Sequence, residues 1–150
     1  MPHIPFLMIA ECLDGRAYRL IHSAPAERSA ASVPVGEMES IGAEDFRRAC
    51  RETVLASLDT YPARKRLEPS AYDRMDDDEV KRFHRAHRMI SAGGYGPNVE
   101  FAPWYLKKDG SLDGCDRSQH VVVSRAADNE AFLHAMESAL ARVRGWPPRS

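Results

Sequence analysis

The sequence predicts a single α+β (or α/β) domain: a mixed sheet with an N-terminal hairpin and about three helices packed on it. Three observations lead there. At 150 residues the chain has the length of one domain, long enough to bury a core without staples. Hydrophobic residues at 43% and charged residues at 29% are ordinary for a globular protein. The order of apolar patterns reads β-β-(β)-α-α-β-β-α. The domain is expected to cover residues 1–145, with 146–150 as a frayed tail around Pro147-Pro148.

Each element has a local reason. Ile4 to Leu13 reads as a strand with Phe6, Met8, Ala10 and Cys12 on one face and Leu7, Ile9, Glu11 and Leu13 on the other. Asp14-Gly15 and the alternating run Arg16 to Ser23 then make a hairpin, in which Asp-Gly suits a type I′ turn. Ser32 to Gly36 reads as a short edge strand, limited by Pro34. Ala43 to Leu58 reads as a helix burying Phe46, Cys50, Val54 and Leu58, with Arg47, Arg48 and Arg51 outward. After an irregular stretch holding Pro62 and Pro69, Asp76 or Asp77 caps a second helix that runs to about Ser91, ended by Gly93-Gly94 and Gly96-Pro97. Asn98 to Lys107 is a strand with a bulge or edge at Pro103. Gly110 to Gly114 is a turn, and Gln119 to Ser124 is a strand whose three valines suit burial on both faces. Asp128 caps the last helix, which buries Phe132, Met136, Ala139, Leu140 and Val143. Glu44 to Glu52 and Glu130 to Ser138 share an acid–x–Phe–x–x–Ala–apolar pattern, either a strand–helix duplication or two ordinary amphipathic helices.

Composition excludes several classes. Lys plus Arg (21) nearly cancels Asp plus Glu (22), which opposes direct nucleic-acid binding by bulk charge. No apolar run is long enough for a membrane span. Only His3 precedes the apolar stretch Ile4 to Ala10 and Glu11 follows it, so the start lacks the parts of a signal peptide and the expected location is the cytoplasm. Cys12, Cys50 and Cys115 are odd in number and none form CxxC; Cys12 and Cys50 read as core residues.

The residue types that carry chemistry elsewhere mostly have structural explanations here. Asp76-Asp77-Asp78-Glu79 offers carboxylates for a hard cation, yet adjacent helical residues diverge by roughly 100° and the position suits a cap and first turn. His84 and His87 stand at i, i+3 on the same expected helix without a third ligand, so no metal and no cofactor is expected. Asp109, Asp113 and Asp116, set among Gly110 and Gly114, fail the calcium-loop spacing. No nucleophile elbow, P-loop or dinucleotide fingerprint occurs, and the chain is expected not to be an enzyme.

From Val80 to Arg144 the sequence resembles the bacterial contact-dependent growth-inhibition immunity proteins. The resemblance rests on the helix Lys81 to Ile90, Val99-Glu100-Phe101-Ala102-Pro103, the turn Asp109 to Gly114, the valine strand Val121 to Ser124 and the acid-started helix Asp128 to Leu140. Ala43 to Leu58 is comparable with the family's earlier acidic helix start. Phe132 and His134, where a Gly is often found, and the interruptions at Pro62 and Pro69 depart from the pattern. The resemblance implies a cytoplasmic protein that binds and neutralises a cognate toxin C-terminal domain, often a nuclease such as a tRNase. A basic nuclease cleft would be met by carboxylates, for which Asp109, Asp113, Asp116 and Asp76, Asp77, Asp78, Glu79 are the candidates. The competing readings are a small metal-assisted hydrolase using Asp76 to Glu79 with His84 or His87, and a homodimeric regulatory domain. The oligomeric state is not set by the sequence.

Overall fold

The computed structural model describes residues 6–22, 38–59, 72, 74–94 and 96–149. The expected strand Ser32 to Gly36 lies outside them. Seven strands form one antiparallel sheet: β1 Phe6–Cys12, β2 Ala17–His22, β3 Met38–Gly42, β4 His87–Gly93, β5 Asn98–Leu106, β6 Leu112–Gly114 and β7 Val121–Ser124. Their order is β3-β2-β1-β4-β5, after which β5 pairs with β7 through its first half and with β6 through its second. Pro103 falls at that change of partner, between Phe101↔Val121 and Trp104↔Gly114, where a residue lacking an N–H interrupts neither ladder.

The hairpin forms as expected, with a different turn. The Gly15 N–H donates to the Cys12 carbonyl at 2.8 Å, and the Asp14 carboxylate accepts the Arg16 N–H at 2.9 Å. Gly15 has φ +74° and no non-glycine residue among those described has positive φ, so one left-handed glycine closes the reversal instead of a type I′ pair.

Both faces of β1 are buried. Leu7 and Ile9 join Tyr18, Leu20, Ile90, Ala92, Val99 and Phe101 beneath α1 Ala43–Arg48, α2 Cys50–Asp59 and α4 Asn129–Leu140. Met8, Ala10, Ile21 and Met89 face α3 Asp77–Ala86 through Phe83, with Trp104, Leu112 and Trp146 at the margin. The expected core residues Phe46, Cys50, Phe132, Met136 and Leu140 are all buried. Cys50 Sγ and Met136 Sδ, which occupy matching places in the two similar helix sequences, touch at 4.0 Å.

Four expectations are corrected. The helix expected over Ala43 to Leu58 breaks at Ala49 (φ −121°), whose N–H is shared between the Asp45 and Phe46 carbonyls. Arg51 does not face outward: its guanidinium donates to the Ala127 and Arg125 carbonyls at 2.7 and 2.8 Å, lacing α2 to the turn before α4. The helix expected to reach Ser91 stops at Ala86, and His87–Gly93 is the strand β4, paired along its length with β1. Finally, β7 is not buried on both faces, because α4 covers Val123 while Val122 on the other side is 55% exposed.

Residues 146–149 are held rather than frayed. Arg144 pairs its backbone with Leu106 and Trp104 beside β5. The Trp146 indole N–H then donates to the His84 carbonyl, and Arg149 reaches Glu11 of β1.

Candidate functional site

The two acidic segments are both exposed, and each has local structure of its own. Asp76 is the N-cap of α3 in a reciprocal capping box: its carboxylate accepts the Glu79 N–H at 2.8 Å, and Glu79 Oε1 accepts the Asp76 N–H at 3.4 Å. The Glu79 N–H bond holds the Asp76 carboxyl below the usual carboxylate range. Asp77, Asp78 and Glu79 fill the first turn, where the helix dipole favours them.

Asp109 has a structural role in its own turn. It accepts the Ser111 hydroxyl at 2.6 Å and the Ser111 N–H at 2.9 Å, bonds that lower its pKa. The turn it belongs to is docked on α3. The Gly110 carbonyl lies 2.9 Å from His84 Nδ1, and a Cβ on Gly110 (φ +92°) would stand 2.8 Å from Lys81 Cβ. Asp109 therefore lies beside α3, near Lys81, in a patch of mixed sign. Asp113 sits opposite Tyr105 in the β5–β6 ladder, and Leu112, its neighbour on the other face, packs toward α3. Asp113 thus points away from the α3 layer, and Asp116 stands before the short 3-10 turn Arg117–Gln119 with no side-chain cap bond. The seven carboxylates do not converge on one point.

The histidines are committed elsewhere. His84 donates through Nδ1 to the Gly110 carbonyl at 2.9 Å, and its Nε2 stands 2.7 Å from the Tyr72 hydroxyl. His87 donates to the Phe83 carbonyl at 2.8 Å and stacks on the Phe83 ring at 4.0 Å. The hydrolase reading needs His84 or His87 turned toward Asp76 to Glu79, and the ring nitrogens of both are bonded to Gly110, Tyr72 and Phe83 instead. Among the described residues no three His, Cys, Asp or Glu side chains gather as a metal site. Farther along the same sheet face, Trp104, Cys115 and His120 line a pocket of about 220 Å³. Burial, and then Asp116, push the Cys115 thiol up, while His120 is bonded to Glu100 at 3.2 Å, so the pocket has no activated nucleophile.

Burial pushes the pKa values of His84 and His87 below their ordinary 6.5. The unfolded chain therefore takes up protons below that value while the folded chain resists them. Their contribution to stability is complete above pH 6.5 and is lost as pH falls toward the folded values. Denaturant midpoints should drop between about pH 7.5 and about pH 5.5, and the double substitution His84→Gln, His87→Gln should flatten that drop. An equal drop in the double variant would assign it to other groups.

Sequence reasoning missed a buried ionic group on the other face. Glu11 (1% exposed) and Arg88 (4%) are charged residues inside the sheet, joined by Arg149. The one signal was Glu11 itself, a lone acid in an apolar run with both neighbouring faces buried.

No family model matches the sequence, and no curated protein matches it. Among solved structures, the chain is similar to one in the CdiA-CT/CdiI toxin and immunity complex from Yersinia pseudotuberculosis, at a TM-score of 0.62 and 12% identity, over 95% of this chain and 98% of that one. It is also similar to a protein of unknown function from Neisseria meningitidis, at a TM-score of 0.60 and 12% identity, over 96% of this chain and 99% of that one. At this identity the likeness shows the fold alone, shared over nearly the whole length of the chains.

Proposed function

We propose that this protein is an immunity protein that binds and neutralises a toxin domain of a contact-dependent growth-inhibition system. The observation that carries the reading is the fold shared end to end with a chain of a toxin and immunity complex. The finer reading is that the partner is the toxin's C-terminal domain, a nuclease such as a tRNase, and that the encounter takes place in the cytoplasm. The protein itself acts by binding and not by turnover. Support for the non-catalytic reading comes from the site: the ring nitrogens of His84 and His87 are bonded to Gly110, Tyr72 and Phe83, and the exposed carboxylates are not among their partners.

Exposed acids that face a basic cleft accelerate encounter and lose that effect in salt. The structure separates the seven candidates by what else they do. Asp76 and Asp109 hold a helix end and a turn, so their reversal confounds folding with binding. Asp113 and Asp116 are exposed without such bonds and make the cleaner test. Asp113→Lys with Asp116→Lys should leave the thermal midpoint in place and slow association about tenfold at low salt, with the gap closing at high salt.

The experiment reads the neighbouring frames for a toxin gene and tests its C-terminal domain by co-purification, by a nuclease assay with and without the protein, and by survival of cells making both. Tight capture of that one toxin, stoichiometric inhibition and protection are expected. Failure to bind it, or turnover of a substrate by the protein alone, would remove the immunity reading.

A further inference from the structure

Tyr18, Glu11 and Arg88 lie in one row across β2, β1 and β4, on the face covered by α4. The Glu11 side chain is 2% exposed and that of Arg88 5%. The Tyr18 hydroxyl donates to Glu11 Oε2 at 3.2 Å and fixes the carboxylate's orientation. Arg149 approaches from outside. Its Nε donates to Glu11 Oε1 at 3.1 Å and its Nη2 to Glu11 Oε2 at 2.8 Å, while Nη1 donates to Glu137 Oε2 at 3.2 Å. Three N–H groups of one planar fork are thus spread over two carboxylates, a match that a guanidinium makes and an ammonium does not.

Exposure falls inward through this group, from Glu137 (37%) and Arg149 (27%) to Glu11 and Arg88. Arg149 is the stopper of a socket whose floor is already built. Arg88 is a poor substitute for it, because its Nη2 is held by the Pro147 and Pro148 carbonyls at 2.7 and 3.2 Å and its Nη1 stands 3.5 Å from Glu11 Oε1. Without Arg149 the socket keeps two carboxylates against one buried guanidinium, with Arg47 only at the edge, 3.9 Å from Glu137.

The geometry points to a guanidinium-binding site made by Glu11 and Glu137 and oriented by Tyr18, which Arg149 fills in cis and which accepts an arginine side chain in trans when that side chain is absent. The site lies on the opposite face of the sheet from α3 and its acids, and it does not depend on the toxin reading.

The test uses the full chain carrying Arg149→Ala, titrated with N-acetyl-arginine amide at millimolar concentrations, with N-acetyl-lysine amide as the control. The thermal midpoint of the variant should start several degrees below the parent's and recover saturably with the arginine compound, as for a ligand that binds the folded state. The lysine compound should leave it in place, and neither compound should move the parent, whose socket is full. Adding Glu11→Gln to the variant should abolish the recovery. No recovery, equal recovery with lysine, or recovery that survives Glu11→Gln would each overturn the site. Should Arg149→Ala fail to fold, Arg149→Lys keeps the charge without the fork. The same titration then applies, and absence of an arginine-specific rise overturns the site there too.

Discussion

Glu11→Ala is expected to destabilise the protein by about 3–5 kcal/mol, the range for breaking a buried ion pair by removing one partner. The loss leaves Arg88, 4% exposed, without its carboxylate, and turns Arg149 from a partner into a second cation beside it. It also removes the acceptor of the buried Tyr18 hydroxyl, whose pKa burial and Glu11 together push upward. Urea titration of the single variants and of Glu11→Leu with Arg88→Met checks the cause. The double variant should lose less than either single change, because it leaves no fully buried charge unpaired, and Arg149 keeps Glu137 as its partner. Additive losses would show that the pair contributes through packing and not through charge.

Phe132→Ala is expected to cost about 3–5 kcal/mol, the usual cost of truncating a buried aromatic side chain. Phe132 is 0% exposed, meets Phe101 of β5 edge-on at 6.4 Å, and lies under the Arg51 guanidinium at 5.9 Å. Its removal therefore opens a cavity where α2, α4 and the sheet all meet. In a domain stable by about 5–15 kcal/mol this is a large share, and expression at reduced temperature is advisable. A denaturant titration showing less than about 1 kcal/mol would place the ring outside the core.

Much of this fold was legible because local signals and packing agree. In α4 an aspartate cap, a stripe of Phe132, Met136 and Leu140, and the burial of all three point the same way. The hairpin and β5 were readable for similar reasons, from alternation and turn residues. The failure at β4 is instructive. His87 to Gly93 contains one β-branched residue, Ile90, and continues the apolar spacing of Val80 and Phe83, so periodicity alone could not separate a buried strand from more helix. What decides it is β1, whose second edge needs a partner. Val122 fails for the opposite reason: its type suits burial, but α3 does not extend over it.

The candidate site was less legible. The acids were found by composition, but their separation onto different faces depends on the register Tyr105↔Asp113 and on the docking of Gly110 against α3, both set by distant packing. Beyond the lone acid Glu11 in an apolar run, the Glu11–Arg88–Arg149 group has no local signature, since its members are brought together by the sheet order and by the path of residues 144–149.

The position of β1 between β2 and β4 has a consequence for synthesis on the ribosome. Ile9 pairs with Ile90, 81 residues later (90 − 9), so β1 leaves the exit tunnel long before its second neighbour exists. At roughly 5–20 residues per second that wait lasts about 4–16 seconds. During it, an apolar strand keeps one edge open, the arrangement most prone to pairing with another chain. Nascent chains stalled before His87 should therefore be the aggregation-prone and chaperone-bound species, and release of β4 the event that ends their exposure.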